Sequence, residues 1–121
     1  MDYTNHKIGA VSELKAQMYY AKEGYEIFTP LGPTICDFIA VKEHEVIRVQ
    51  VKTVNTAGRV LCINTARNKN SAKRSGKQPV PYSKKDCDVI IAVLGDNLWA
   101  ILAENIGERQ TLCISKMIKI Q

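Results

Sequence analysis

Asp37 and the segment Gln50-Val51-Lys52 are the residues whose types and spacing are best suited to chemistry. Hard divalent cations prefer oxygen ligands, and the carboxylate of Asp37 can supply them. The ammonium group of Lys52 can stabilise developing negative charge or help to orient a water molecule. An acid, an amide and a lysine brought together in this way would suit the hydrolysis of a phosphodiester bond. Whether they meet depends on the elements that carry them.

Two neighbouring strands are predicted to position these residues. The first is expected over 35–41, directly after a Pro/Gly turn, and the second over 46–54. Alternation along the second strand puts Arg48, Gln50 and Lys52 on one face and the intervening isoleucine and valines on the other. The polar face of this strand would therefore present an amide and a lysine beside the aspartate.

A helix is predicted before these strands, over 9–23. Val11, Leu14, Met18 and Ala21 recur there at helical spacing. Gly24 follows as a C-terminal stop.

The remaining segments complete an α/β pattern with a mixed central sheet. We predict a β-prone segment at 25–29, a turn at 30–33, a hairpin loop at 42–45, strands at 59–65, 89–94 and 98–102, and a tail at 111–120 with a strand-like start.

Length and composition limit the classes of protein. The chain has 121 residues, so we expect one domain, 1–121, with a single core. The net charge of +5 favours a polyanionic partner, although basic domains of this size also exist without one. No apolar run is long enough to cross a membrane, and the N-terminus lacks the apolar region of a secretory signal. A cytoplasmic location is therefore expected, without a membrane partner.

The four cysteines indicate neither a zinc site nor a disulfide framework. No Cys-x-x-Cys pair occurs, and each cysteine borders a strand-like run, so reduced and mostly buried thiols are expected. Two similarities recur at one offset. The run from Cys36-Asp37 resembles the run from Cys87-Asp88, and Leu61-Cys62-Ile63 resembles Leu112-Cys113-Ile114. Asp88 is thus a rival to Asp37, but no Gln-x-Lys segment follows it, and we interpret it as structural.

Residues 67–85 form a predicted basic loop. Long loops in small domains are uncommon unless they are functional or disordered, so this one is a candidate DNA-binding surface, with a solvated loop as the alternative. The predicted DNA-contacting residues, from this loop and from the second strand, are Arg48, Arg67, Lys69, Lys73, Arg74, Lys77, Tyr82, Ser83 and Lys84.

An ordered set of motifs resembles the PD-(D/E)XK nuclease superfamily. Gly9-Ala10-Val11-Ser12-Glu13 opens the set on the helix, Gly24-Tyr25 follows, Asp37 lies at a strand start, and Val49-Gln50-Val51-Lys52-Thr53 closes it. The chain is most similar to a group of small prokaryotic and phage endonucleases in which Gln replaces the acid. That group includes an intron-encoded homing endonuclease, and archaeal Holliday-junction resolvases are more distant relatives.

The resemblance implies a restriction-endonuclease-like core, in which helices flank a mixed sheet, and an active site. By this resemblance Glu13, Asp37, Gln50 and Lys52 are catalytic. Glu13, Asp37, the Gln50 amide and the Val51 carbonyl would bind Mg²⁺, for which Mn²⁺ would substitute. Pro33 departs from the motif because it does not adjoin Asp37, and Gln50 leaves the number of metal ions open.

The function implied is that of a metal-dependent endonuclease acting on double-stranded DNA, homing-type or phage-encoded. A Holliday-junction or branched-DNA resolvase, and a DNA-binding module without catalysis, are the alternatives. A chain this small would need a second copy to cut both strands, so a homodimer or homotetramer is expected. Each site residue also has a structural alternative: Glu13 can favour the helix dipole, Asp37 can be a turn or edge residue, and Gln50 and Lys52 can be solvated strand residues.

Overall fold

The computed structural model describes residues 4–67 and 79–121. Within them the chain forms one α-helix, ten strands and two short 3₁₀ turns. The helix is α1 (Thr4–Lys22), and the strands are β1 (Glu26–Phe28), β2 (Phe38–Lys42), β3 (Glu45–Thr53), β4 (Cys62–Asn64), β5 (Ala66–Arg67), β6 (Val80–Pro81), β7 (Val89–Leu94), β8 (Asn97–Leu102), β9 (Thr111–Cys113) and β10 (Ile118–Lys119). The 3₁₀ turns are Ala103–Asn105 and Ile114–Lys116.

A six-stranded mixed sheet forms the centre, in the order β1-β2-β3-β7-β8-β10. The pair β3–β7 is parallel and the other four pairs are antiparallel. Two smaller antiparallel pairs, β4–β9 and β5–β6, arise around the connection from β3 to β7 and the tail. The predicted α/β class with a mixed central sheet is confirmed.

Strand predictions agree with the structure except at some ends. The strand predicted over 89–94 is β7, and the one predicted over 46–54 is β3, shifted by one residue at each end. The strand predicted over 35–41 begins only at Phe38, so Asp37 immediately precedes it. The strand predicted over 59–65 shortens to β4.

Both faces of the central sheet are covered. On one face Val49 and Val51 pack with Ala16 and Tyr20 of α1. On the other, residues of β7 such as Ile90 pack with residues of β4 and β9, among others. The predicted alternation of β3 is correct, but its polar face does not lie in open solvent, and this decides the environment of the site described below.

The apolar stripe that predicts the helix is not its buried face. Ser12, Ala16 and Tyr20 pack toward the sheet and are at most 7% exposed. Leu14 and Met18 of the stripe are 58% and 55% exposed. Small residues at the contact let the helix lie close to β3, and the Ser12 and Thr53 hydroxyl oxygens are 2.8 Å apart.

Within the described residues, no helix is long and apolar enough to cross a membrane.

The helix begins at Thr4, five residues before the predicted start, but it ends next to Gly24 as the sequence predicts, one residue early. Gly24 has a φ of 94°, a conformation that favours glycine. Its N–H donates to Ala21 O, and the Tyr25 N–H donates to Tyr20 O. These two bonds form a Schellman motif, which satisfies carbonyls of the last turn.

The repeated cysteine segments have two structural explanations. Cys62 and Cys113 lie opposite each other in the β4–β9 pair, so the two Leu-Cys-Ile segments are partners in one ladder. Asp37 and Asp88 precede β2 and β7, the two neighbours of β3. All four cysteines are free thiols, but the expectation that they are mostly buried is wrong: Cys87 is fully buried, whereas Cys36, Cys62 and Cys113 are partly exposed.

Candidate active site

A cleft opens where β2 and β3 separate. Their pairing reaches only as far as Phe38 opposite Val49. Beyond that point β3 continues beside β7 up to Thr53. The carboxylate of Asp37 takes the place of a further backbone partner, because its Oδ2 accepts the Val51 N–H at 2.7 Å. The end of one strand thus fixes the acid against the middle of the next.

The cleft has a volume of about 760 Å³. Asp37, Gln50 and Lys52 line it together. The remaining lining comes from the turn before β2 and from the β4–β6 region: Pro33, Thr34, Ile35, Asn64, Ala66, Arg67 and Tyr82. Three of the four predicted catalytic residues therefore share one concave surface.

Asp37 is a partly buried acid in this cleft. Burial raises the pKa of its carboxyl, while the Val51 N–H and the positive charge of Lys52 act in the opposite direction. The carboxylate is therefore held in place by a backbone donor but is incompletely compensated. Such an anion is a favourable ligand for a cation.

Lys52 is the partly buried cation beside it. Burial lowers the pKa of its ammonium group, and the Asp37 carboxylate offsets part of that effect. Its Nζ lies 5.0 Å from the centroid of the Tyr82 ring. The lysine therefore interacts with both an acid and an aromatic face.

Gln50 supplies an unpartnered oxygen. The residue is only 8% exposed, and its Oε1 is one of two buried side-chain polar atoms without a hydrogen-bond partner among the described residues. A buried acceptor left unpaired is costly, and such groups in native structures call for an explanation, an absent ion among them. The donor set therefore fits a hard cation, with a neutral amide oxygen beside a carboxylate.

Glu13 approaches the site from the helix. It is half-buried on α1 and does not line the cleft. Its pKa is raised first by burial and then by the negative charge of Asp37, so the two carboxyl groups interact. Within the described residues, no group of three or more His, Cys, Asp and Glu side chains could hold a metal ion. A cation here would depend on amide and carbonyl oxygens as well as on two acids.

Asp88 lies outside this cleft and holds Arg48. Its Oδ2 accepts the Arg48 backbone N–H at 2.8 Å and the Nε–H at 3.2 Å, and its Oδ1 accepts Nη2 at 3.1 Å. The Arg48 guanidinium also donates to the carbonyls of Lys84 and Lys85. The hydrogen bonds from the side chain and backbone of Arg48, together with its charge, lower the pKa of the Asp88 carboxyl. Arg48, which the sequence suggested for DNA, is thus committed to partners within the chain.

The predicted basic loop is only partly described. Lys69, Lys73, Arg74 and Lys77 lie outside the described residues. Ser83 and Lys84 are exposed, whereas Tyr82 is 6% exposed.

An acid missed by the sequence analysis organises the end of this loop. Asp86 Oδ1 lies 3.2 Å from Arg67 Nε in an ion pair, although that contact lacks hydrogen-bond geometry. Asp86 Oδ2 accepts the Ser83 N–H at 3.0 Å. The spacing Ser83-x-x-Asp86 is the available signal, because it resembles a capping box in which the acid reaches back to the first residue.

Comparison with known proteins identifies relatives of this chain in sequence and in fold. A family model described as PD-(D/E)XK endonuclease matches residues 3–107. Protein 5.3 of Escherichia phage T7 is 25% identical over 115 residues, which is 94% of this chain and 93% of that protein. The solved structure of the bacterial homing endonuclease I-Ssp6803I has a similar fold, with a TM-score of 0.73 at 20% identity over 93% of this chain and 78% of that chain. Since the family model spans most of the sequence, this chain belongs to the PD-(D/E)XK endonuclease family of nucleases.

Proposed function

We propose that this protein is a metal-dependent endonuclease that hydrolyses phosphodiester bonds in double-stranded DNA. One observation carries the proposal: Asp37, Gln50 and Lys52 line a single cleft, and the buried Oε1 of Gln50 has no hydrogen-bond partner among the described residues. Family membership supports the reaction class, and the net charge of +5 suits a polyanionic substrate.

Mg²⁺ is the proposed cofactor, with Mn²⁺ as a substitute. The proposed ligands are the Asp37 carboxylate, the Gln50 amide oxygen, the Val51 carbonyl and the Glu13 carboxylate. All are oxygen donors, as a hard cation requires. When bound, the ion would lower the pKa of an attacking water and neutralise charge on the phosphate. Gln50 supplies an oxygen without charge, so it would hold the ion less strongly than a glutamate.

Lys52 has the proposed role of stabilising negative charge that develops on the phosphate. Its ammonium group is partly buried, so its charge is less screened there than in open water. The negative charge of the Asp37 carboxylate would offset the repulsion between the bound ion and the Lys52 ammonium group. A module without catalysis would be expected to have lost one of these groups, and Glu13, Asp37 and Lys52 are all present.

The proposed DNA-binding surface combines a residue of the cleft with residues of the basic loop. Arg67 lines the cleft, and Ser83 and Lys84 are exposed at the end of the basic loop. The basic residues of the loop that lie outside the described residues remain part of this proposal: Lys69, Lys73, Arg74 and Lys77. We leave Arg48 out, because intramolecular acceptors occupy Nε, Nη1 and Nη2 of its guanidinium, whereas the ion pair of Arg67 with Asp86 is made through Nε.

A homodimer or homotetramer is proposed, because one cleft cuts one strand at a time and a duplex has two. A homing-type or phage-encoded role remains part of the proposal. It is supported by the fold shared with a homing endonuclease and by the similarity to a phage protein. Branched-DNA resolution is the alternative specificity, and the choice of substrate in the assay separates the two.

Plasmid cleavage tests the proposal. Supercoiled plasmid, linear duplex and a four-way junction are incubated with the protein in Mg²⁺ and, separately, in EDTA. We expect cleavage of duplex DNA in Mg²⁺ alone, whereas preference for the junction would select the resolvase. No cleavage of any substrate, with Mg²⁺ or Mn²⁺, would overturn the assignment.

Two matched variants test the choice of aspartate. Asp37→Asn should lose cleavage and measurable Mg²⁺ or Ca²⁺ binding, because the ion loses an anionic ligand. Asp88→Asn removes the same charge at the equivalent position before β7 and should keep both, since Asp88 pairs with Arg48. The opposite pattern would move the active site to Asp88.

A further inference from the structure

Tyr82 contacts the proposed catalytic lysine in a defined geometry. Its ring centroid is 5.0 Å from Lys52 Nζ. A cation within about 6 Å of an aromatic centroid is attracted by the negative face of the ring. Both residues line the cleft that contains Asp37 and Gln50, so the contact lies within the proposed site.

The ring is fixed from behind by the fold. Tyr82 follows β6 directly, and its N–H donates to Thr65 O at 2.8 Å. Its side chain packs in the core cluster with Ile63, Cys87 and Ile90, and the residue is 6% exposed. So little exposed surface leaves the ring unsuited to stacking on a DNA base. What it presents to the cleft is a surface for Lys52.

The tyrosine acts as a neutral ring and not as a second anion. Burial, followed by the negative charge of Asp37, raises its pKa to about 12. Within the described residues, its hydroxyl has no hydrogen bond to the protein. The attraction to Lys52 therefore comes from the face of the ring, and the hydroxyl is dispensable for it.

Lys52 needs such a support. Lysine has a flexible four-carbon stem, and fixing one rotamer costs conformational entropy. The Asp37 carboxylate attracts the ammonium group, but a cation bound by Asp37 would weaken that attraction. The Tyr82 ring is uncharged and remains in place in either state.

We propose that Tyr82 is a positioning residue that holds the Lys52 ammonium group in the cleft. This inference rests on the proposed function, in which Lys52 stabilises charge on the phosphate. It replaces the DNA contact that the sequence suggested for Tyr82.

An experiment that does not depend on cleavage tests the contact first. Lysine side chains are labelled with ¹³C at the ε position, and the Lys52 signal is assigned from its loss in Lys52→Arg. Protons above a ring face shift upfield, so we expect an upfield Lys52 ε-CH₂ signal in the wild type and in Tyr82→Phe. The signal should move to the position of exposed lysines in Tyr82→Leu and Tyr82→Met. A wild-type signal at that position would overturn the proposal, whether or not the protein cleaves DNA.

Single-turnover cleavage then tests the role. Tyr82→Leu and Tyr82→Met should cleave about 5- to 30-fold more slowly, the range expected for losing one partly desolvated cation–π contact. DNA affinity in Ca²⁺ should change by less than about 3-fold, and Tyr82→Phe should cleave within about 2-fold of wild type, because the ring is retained. Thermal unfolding identifies the better-folded of the two non-aromatic variants for this comparison. Wild-type cleavage by that variant, or equal loss in Tyr82→Phe, would overturn the proposal. Absence of cleavage by the wild type would instead count against the proposed function.

Discussion

Replacing Gln50 by glutamate restores the acid that the motif usually has and tests whether this side chain faces a cation. Gln50 is 8% exposed, and its Oε1 has no hydrogen-bond partner among the described residues. Glutamate has nearly the same shape, so packing should be preserved. In the metal-free protein the change places a second carboxylate in the cleft that already contains Asp37.

Gln50→Glu should lower the free energy of unfolding, because the new carboxylate is buried and lies in the same cleft as the negative charge of Asp37. Both effects raise the pKa of a buried carboxyl group, by up to several units in documented cases. Lys52 offsets part of this, so we take a rise of about two units, which corresponds to about 2.7 kcal/mol. A raised pKa in the folded state means that this protein binds the proton more tightly than the unfolded chain does. The loss of folding stability is therefore absent below the pKa that the new carboxyl has in the unfolded chain, near pH 4. It reaches its full value above the pKa that this carboxyl has in the folded protein.

Mg²⁺ should reverse the loss. An ion that binds only the folded state, present at about 100 times its dissociation constant, raises the free energy of unfolding by about 2.7 kcal/mol. The carboxylate is a stronger ligand than the amide, so Gln50→Glu should gain more from Mg²⁺ than the wild type does. Gln50→Leu is the matched control: it should show no comparable pH dependence and should gain less from Mg²⁺ than the wild type.

Urea unfolding at pH 4 and pH 8, with and without Mg²⁺, measures these differences. We expect Gln50→Glu to match wild type at pH 4, to be less stable by about 2.7 kcal/mol at pH 8, and to recover in Mg²⁺. An equal loss at both pH values would indicate a packing defect. The same Mg²⁺ response in all three proteins would refute the assignment of Gln50 as a ligand.

Three further changes have distinct expected outcomes. Lys52→Ala should abolish cleavage and leave DNA affinity within a few-fold in a binding assay, because Lys52 is assigned to the chemistry and not to phosphate contacts. Ala16→Leu should lower the free energy of unfolding by about 1–3 kcal/mol through overpacking against the sheet, whereas Leu14→Gln, on the exposed side, should change it by less than about 0.5 kcal/mol. Neutralising the four basic loop residues should flatten the slope of log affinity against log salt by up to about four units, roughly 0.9 per phosphate contact, with little change in melting temperature. An unchanged slope would mean that DNA follows another face. The four residues are Lys69, Lys73, Arg74 and Lys77.

The class of fold was readable from local patterns. Alternation in β3, the apolar run of β7 and the glycine after α1 each specify an element from a few neighbouring residues. Asp37 and the Gln50-x-Lys52 spacing were also readable, because two residues along a strand always return to the same face. Strand geometry alone therefore predicted that Gln50 and Lys52 would lie on the same face.

The orientation of the helix could not be read in this way. The stripe containing Leu14 and Met18 has the spacing of a buried face, yet Ala16 and Tyr20 face the sheet. The spacing of apolar residues predicts that a helix has an apolar face. It does not show whether another part of the chain packs against that face. Close approach to β3 selects the small residues at the contact, and only the packed structure shows this.

The sequence by itself determined an α/β domain, an acid before one strand and an amide and a lysine on the next. Only the tertiary structure decided that Asp37 and not Asp88 shares a cleft with Lys52, because β2 stops pairing at Phe38 while Arg48 binds Asp88. It also placed the Tyr82 ring against Lys52, across 30 positions of sequence. Local residue patterns act over a turn or a strand. The partners of a charged group are set by chain segments that only folding brings together.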